Sequence, residues 1–114
     1  MSNSVENFLR ERGTSLEPYG SAEVGLHVPD VLELLDLLIL QSIPVHGIEQ
    51  WRYANNRYSI ESLGGWHSDG NDLQANYTCA KSFVTVANMS PNDLMTVQFS
   101  GMTLNRSFHK DAAQ

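Results

Sequence analysis

Positive charge is scarce in this 114-residue chain: 7 lysines and arginines stand against 13 aspartates and glutamates, a formal charge of -6. That sign argues against a nucleic-acid partner held through phosphates, and it permits attraction to a basic protein. Cysteine is scarcer still. Cys79 is the single one, so no internal disulfide can form and the fold must rest on burial, which removes about two-thirds of the unfolded surface at this size. Glu33 and Asp36 interrupt the most apolar stretch, and no run approaches the roughly 20 residues of a membrane span. The start Met1-Ser2-Asn3-Ser4-Val5-Glu6 has neither the basic region nor the apolar run of a signal peptide. One soluble, cytoplasmic domain over residues 1–114 is expected, with a loose polar tail from about residue 104. GxSxG, phosphate-loop, HExxH and CxxC motifs are all absent, so the standard enzyme signatures offer no starting point.

The strongest positive signal is a helix from 29 to 41. Pro29 suits a first turn, Asp30 suits the positive end of the helix dipole, and the leucine-rich run to Leu40 leaves a polar stripe of Asp30, Glu33 and Asp36 alone. Such a helix must be covered on most sides. Ser42-Ile43-Pro44 ends it, because the residue before a proline is pushed out of the helical region. A shorter helix is expected from Ser2 to Arg12, with Val5, Phe8 and Leu9 inward and Gly13 as a left-handed stop. Pro18, Gly20 and Gly25 mark Thr14 to Val28 as a loop with a brief extended piece at Val24 to His27.

Asn55-Asn56 between two strand-like runs predicts a two-residue type I′ hairpin over about 47 to 63. Its register sets Ala54 opposite Arg57, Tyr53 opposite Tyr58, Arg52 opposite Ser59, Trp51 opposite Ile60 and Gln50 opposite Glu61. Alternation gathers Trp51, Tyr53, Tyr58 and Ile60 on one face, expected to pack on the leucine-rich helix, with Glu49 sharing their parity. Gly64 to Asn71 reads as a loop. Asn71 or Asp69 then caps a helix to about 87 with Leu73, Tyr77, Ala80, Val84 and Ala87 inward and Cys79 on the widened apolar face. Phe83 to Val86 fits a strand as well. Ser90-Pro91-Asn92-Asp93 is a turn, and Met95, Val97 and Phe99 alternate as a last strand over 94 to 100. The fold class is therefore α+β: a small two-layer domain, an antiparallel sheet packed against two to three helices.

Candidate chemistry is thin. Cys79 has no adjacent base and reads as a small core hydrophobe. His46 and Glu49 are three apart, which on a strand sends them to opposite faces unless Gly47 makes a bulge. His67, Asp69 and Asp72 could gather one imidazole and two carboxylates around a metal, the basis for a small metal-assisted hydrolase. Asp30, Glu33 and Asp36 are either a solvated helix edge or a docking surface for a basic partner. Trp66 either plugs the core or stands out as an interface anchor.

The order Gly13-Thr14-Ser15-Leu16, Glu23-Val24-Gly25-Leu26, Leu34-Leu35-Asp36-Leu37-Leu38, Ile43-Pro44-Val45, Gly47 with Glu49 and Trp51, and finally Trp66 resembles the immunity protein 40 family of bacterial polymorphic-toxin systems. The likeness covers roughly residues 13 to 66. Ile48 departs from it where a second glycine is expected, and Gln50 where an aliphatic residue is usual. The resemblance implies a small cytosolic protein that binds and silences a cognate secreted toxin, with no catalytic residues and no cofactor. An acidic and aromatic toxin-binding surface is then expected at Glu61, Trp66, His67, Asp69 and Asp72. A small-molecule-binding regulatory domain is the third possibility, and it would need a pocket.

Overall fold

The computed structural model describes residues 3–68 and 72–100, without the side chains of residues 3 and 61–63. Its sheet is laid out from one turn. Asn55 and Asn56 both take positive φ, 55° and 62°, the conformation a type I′ turn requires and asparagine tolerates. The turn joins β3 (Val45–Ala54) to β4 (Arg57–His67) in the expected antiparallel register from Ala54↔Arg57 to Trp51↔Ile60. The register then breaks. The next described pair is Glu49↔Gly65, a shift of register between Glu49 and Trp51, and the expected Gln50–Glu61 pair falls within that irregular stretch. Gly64 to His67, expected in a loop, instead continue β4, with Trp66 opposite Ile48 and His67 opposite Gly47.

On the other side of β3 lies β5 (Leu94–Phe99), giving the order β4-β3-β5 with antiparallel neighbours. One face of this sheet carries Ile48, Trp66, Met95, Val97 and Phe99 against the helices. These are α1 (Asn3–Arg12), α2 (Val28–Leu40) and α3 (Leu73–Val86), and the domain is a two-layer α+β structure. Val31, Leu34, Leu35 and Leu38 of α2 are fully buried, each such side chain contributing about 1.5–3 kcal/mol relative to exposure.

The aromatic face of the hairpin points away from α2, contrary to expectation. The segment between α1 and α2 lies over part of it, folded as β1 (Thr14–Ser15), a 3-10 turn (Glu17–Tyr19) and β2 (Val24–Gly25). Leu16, Trp51 and Leu94 form a second, smaller buried cluster there, flanked by Tyr19 and Tyr58. Leu26 bridges this segment to Met95 of β5. Trp51 is thus core, in a different core from the one its alternation suggested.

Helix ends show the same mixture of expected and unexpected chemistry. Gly13 has no left-handed φ, Gly20 being the glycine with that conformation; a Cβ at Gly13 would lie 2.0 Å from Val24 Cγ1, so space is the reason for glycine there. The stop of α2 is Ser42 at φ 58°, with Ile43 N donating to Leu38 O at 3.0 Å and Ser42 N to Ile39 O at 3.0 Å, the hydrogen-bond pattern of a Schellman ending. Asp72, instead of Asn71 or Asp69, caps α3, and the helix runs through Phe83 to Val86 without becoming a strand. Cys79, expected inside, is exposed. The buried positions of α3 are Asn76, Tyr77, Ala80 and Val84, and residue 79 falls 100° from Ala80 around the helix. The expected loose tail from about 104 lies outside the described residues.

Candidate functional site

Of the five residues singled out in sequence, Trp66 and His67 turn to opposite faces of the sheet. Trp66 is half-buried and packs on the main core opposite Ile48, so it closes the end of the helix layer. His67, the next residue in the strand, turns to the other face of the sheet and is exposed. There a Cβ on Gly47 would meet Gln98 Oε1 at 2.8 Å and His67 Nδ1 at 3.2 Å, which places these two side chains on either side of a glycine gap. Asp72 is engaged at the start of α3, its Oδ1 accepting from Ala75 N at 2.8 Å. Glu61 belongs to β4, its side chain outside the described part, and Asp69 is outside the described residues altogether. Among the described residues no three His, Cys, Asp or Glu side chains are grouped as metal ligands would be.

The acidic stripe of α2 is largely matched within the fold. Arg12 of α1 donates to Asp30 at 2.8 Å and to Glu33 at 3.2 Å, bonds to Glu33 and then Asp30 that hold its guanidinium above its ordinary pKa. Lys81 of α3 reaches Asp36 at 2.7 Å. The stripe is a seam between helices, and the solvated-edge interpretation describes it better than a docking surface. Asp93 is likewise committed: buried, its Oδ1 accepts from Tyr53 N at 2.9 Å and its Oδ2 from Ser90 N at 3.0 Å, tying the start of β5 to the end of β3. His46 is the bulged residue between Val45 and Gly47 in the β3–β5 pairing, and its Nε2 lies 2.7 Å from Ser100 Oγ.

An exposed aromatic surface lies on the face of the sheet away from the helices, on the β4 side. Tyr53 and Tyr58 pair across the hairpin with ring centroids 4.8 Å apart. Tyr19, supplied by the 3-10 turn, meets Tyr58 edge-on at 5.5 Å. Burial, followed by the neighbouring Tyr53, Tyr19 and Asp93, pushes the Tyr58 phenol above its ordinary pKa, so its hydroxyl is neutral at physiological pH. Ile60 beside them is 49% exposed and Tyr53 37%. Along the same face toward His67 come Glu49, half-buried, and Gly65, exposed. Alternation had collected Tyr53, Tyr58 and Ile60 but assigned them inward; Tyr19 was missed, and Pro18-Tyr19-Gly20 had signalled only a turn.

A pocket of about 240 Å³ lies between the start of α2 and the chain beyond α3, lined by residues that include His27, Pro29, Thr85 and Met89. Nδ1 of His27 is buried without a hydrogen-bond partner. The volume falls below the range of about 300–1,000 Å³ usual for small-molecule sites. Comparison with known proteins found no family model that matches the chain and no matching curated protein.

Proposed function

We propose that this chain is an immunity-type protein, acting in the cytoplasm, that silences a toxin by occupying one of its surfaces and makes no covalent change. Two things support the reading: the resemblance of residues 13 to 66 to the immunity protein 40 family, and the open face of the sheet. The second carries it. One face of the sheet packs on α2 and α3 through Ile48, Met95, Val97 and Phe99, while on the other Tyr53 and Ile60 keep 37% and 49% of their surface exposed beside the buried cluster of Leu16, Trp51 and Leu94. Exposed aromatic and aliphatic groups on a stiff base, bordered by polar residues, are the composition of binding hot spots. The expected surface at Glu61, Trp66, His67, Asp69 and Asp72 is narrowed accordingly. His67 belongs to the open face, whereas Trp66 and Asp72 act from behind it, by packing and by capping.

Co-expression tests this reading. A toxin domain encoded beside this chain is produced in a sensitive host with and without it, and survival and co-purification are scored. Survival with a stoichiometric complex is expected. Death in both cases for every neighbouring toxin domain would contradict the function.

A further inference from the structure

We propose that Tyr19, Tyr53, Tyr58 and Ile60 form the docking patch for a protein partner that presents arginine side chains. The inference deepens the reading above and rests on it only in that the chain works by binding a protein.

Charge is sorted between the two faces of the hairpin. Arg52 and Arg57 alternate with Tyr53 and Tyr58, so both cations lie on the helix-side face. On the open face no lysine or arginine occurs among the described residues of β3, β4 and β5, nor in the Thr14–Gly25 segment laid over it. Its charged groups include Glu49, paired across from Thr96 and Gly65, and Glu23, bonded to Gln98 at 2.8 Å, with exposed Glu17 in the same 3-10 turn as Tyr19. An apolar, π-rich surface with a carboxylate rim attracts a cation in two ways, through the rim charge and through the ring faces. Arginine suits it better than lysine. A guanidinium stacks flat on a phenol ring and loses less hydration on doing so.

Geometry adds a second argument. In a two-residue hairpin the residues flanking the turn exchange hydrogen bonds, so Ala54↔Arg57 and Arg52↔Ser59 bond inward and the main-chain groups of Tyr58 and Ile60 point off the outer edge of β4, which no other described strand pairs. Tyr53 N–H, in the same non-bonded class, does point away from β4, to Asp93. The patch therefore continues into backbone donors and acceptors that pair with no other described strand and that a partner segment can use. A second copy of this chain is a poor occupant, because it brings the same -6 charge and the same carboxylates.

The test is a titration of the isotope-labelled full chain, followed by NMR, with a ten-residue oligoarginine peptide, an oligolysine peptide of equal length and an oligoglutamate control. Saturable shifts centred on Tyr19, Tyr53, Tyr58 and Ile60, several-fold tighter with oligoarginine than with oligolysine, are expected. Tyr53→Ser combined with Ile60→Ser should weaken binding about tenfold, as loss of central anchors does. Both positions are exposed, and the variant's unperturbed spectrum elsewhere verifies its fold. Glu17→Gln should weaken binding less and flatten its dependence on salt. Shifts centred on the α1–α2 seam, no saturable shift, or equal binding of oligoglutamate would overturn the proposal. So would shifts of the patch with protein concentration alone, which would assign it to a second copy, or on removal of residues 101–114, which would assign it to the chain's own end. Protection from a toxin by a Tyr53→Ser/Ile60→Ser variant would overturn the patch and leave the immunity reading standing; a positive titration without any toxin bound would do the reverse.

Discussion

Asn76 shows what a single residue does here that no local pattern announces. Its side chain sits at a buried position of α3, donates from Nδ2 to Val45 O at 2.8 Å, and accepts at Oδ1 from Val45 N at 2.9 Å. It stands in for a neighbouring strand where β3 begins. Asn76→Ala should cost about 2–4 kcal/mol in chemical unfolding, because it orphans a buried N–H and C=O together. Ser42 offers the opposite prediction. A serine held at φ 58° pays a left-handed penalty that glycine does not, and Ser42→Gly should raise stability by roughly 0.5–1 kcal/mol. Tyr77 adds a pH effect. Its buried hydroxyl lies 2.7 Å from Ile43 O and 3.1 Å from Leu38 O, and burial raises its pKa above 10.0. The folded chain holds that proton more tightly than the unfolded one. Its contribution is therefore complete below about pH 10 and is lost as pH rises through the raised pKa. A melting series from pH 8 to 11 should fall at the alkaline end, and Tyr77→Phe should fall less steeply from a lower start. The Asn55-Asn56 turn was legible because its chemistry is local. Asn76 was not, because its partner is 31 residues away.

Among the elements, α2 was read almost to its ends, since a dense apolar pattern between a proline and a stop leaves few alternatives. Leu35→Ala or Leu38→Ala should cost about 2–5 kcal/mol by opening a cavity, and an unchanged unfolding midpoint in both would show that α2 is not the core helix. The hairpin was read correctly in register near its turn and wrongly in facing. Alternation says which residues share a face; it cannot say which face meets the helices. That was decided by Leu16 and Tyr19, in a segment whose prolines and glycines suggested only a loop. The register shift between Glu49 and Trp51 was equally hidden, because a bulge leaves no periodic signal and Gly64-Gly65 reads as a turn. Cys79 was misplaced by one step around α3, since a wide apolar face with polar Asn76 inside it blurs the burial stripe.

For the whole molecule, two groups of carboxylates stand in different electrostatic surroundings. Those of α2 are matched by Arg12 and Lys81 and hold the helix layer together. Glu23 and Glu49 lie on the open side, where the described strands carry no lysine or arginine, and the proposed partner is basic for that reason. Binding there should accelerate at low salt and slow as salt rises past about 0.15 M, where charges screen within about 8 Å. Amide hydrogen exchange, with and without a toxin domain encoded beside the chain, tests the central claim most directly. New protection concentrated in β4 and in residues 14–25, with α1 and α2 unchanged, is the predicted result. A bound toxin that protects α1 and α2 and leaves residues 57–67 exchanging as before would contradict it.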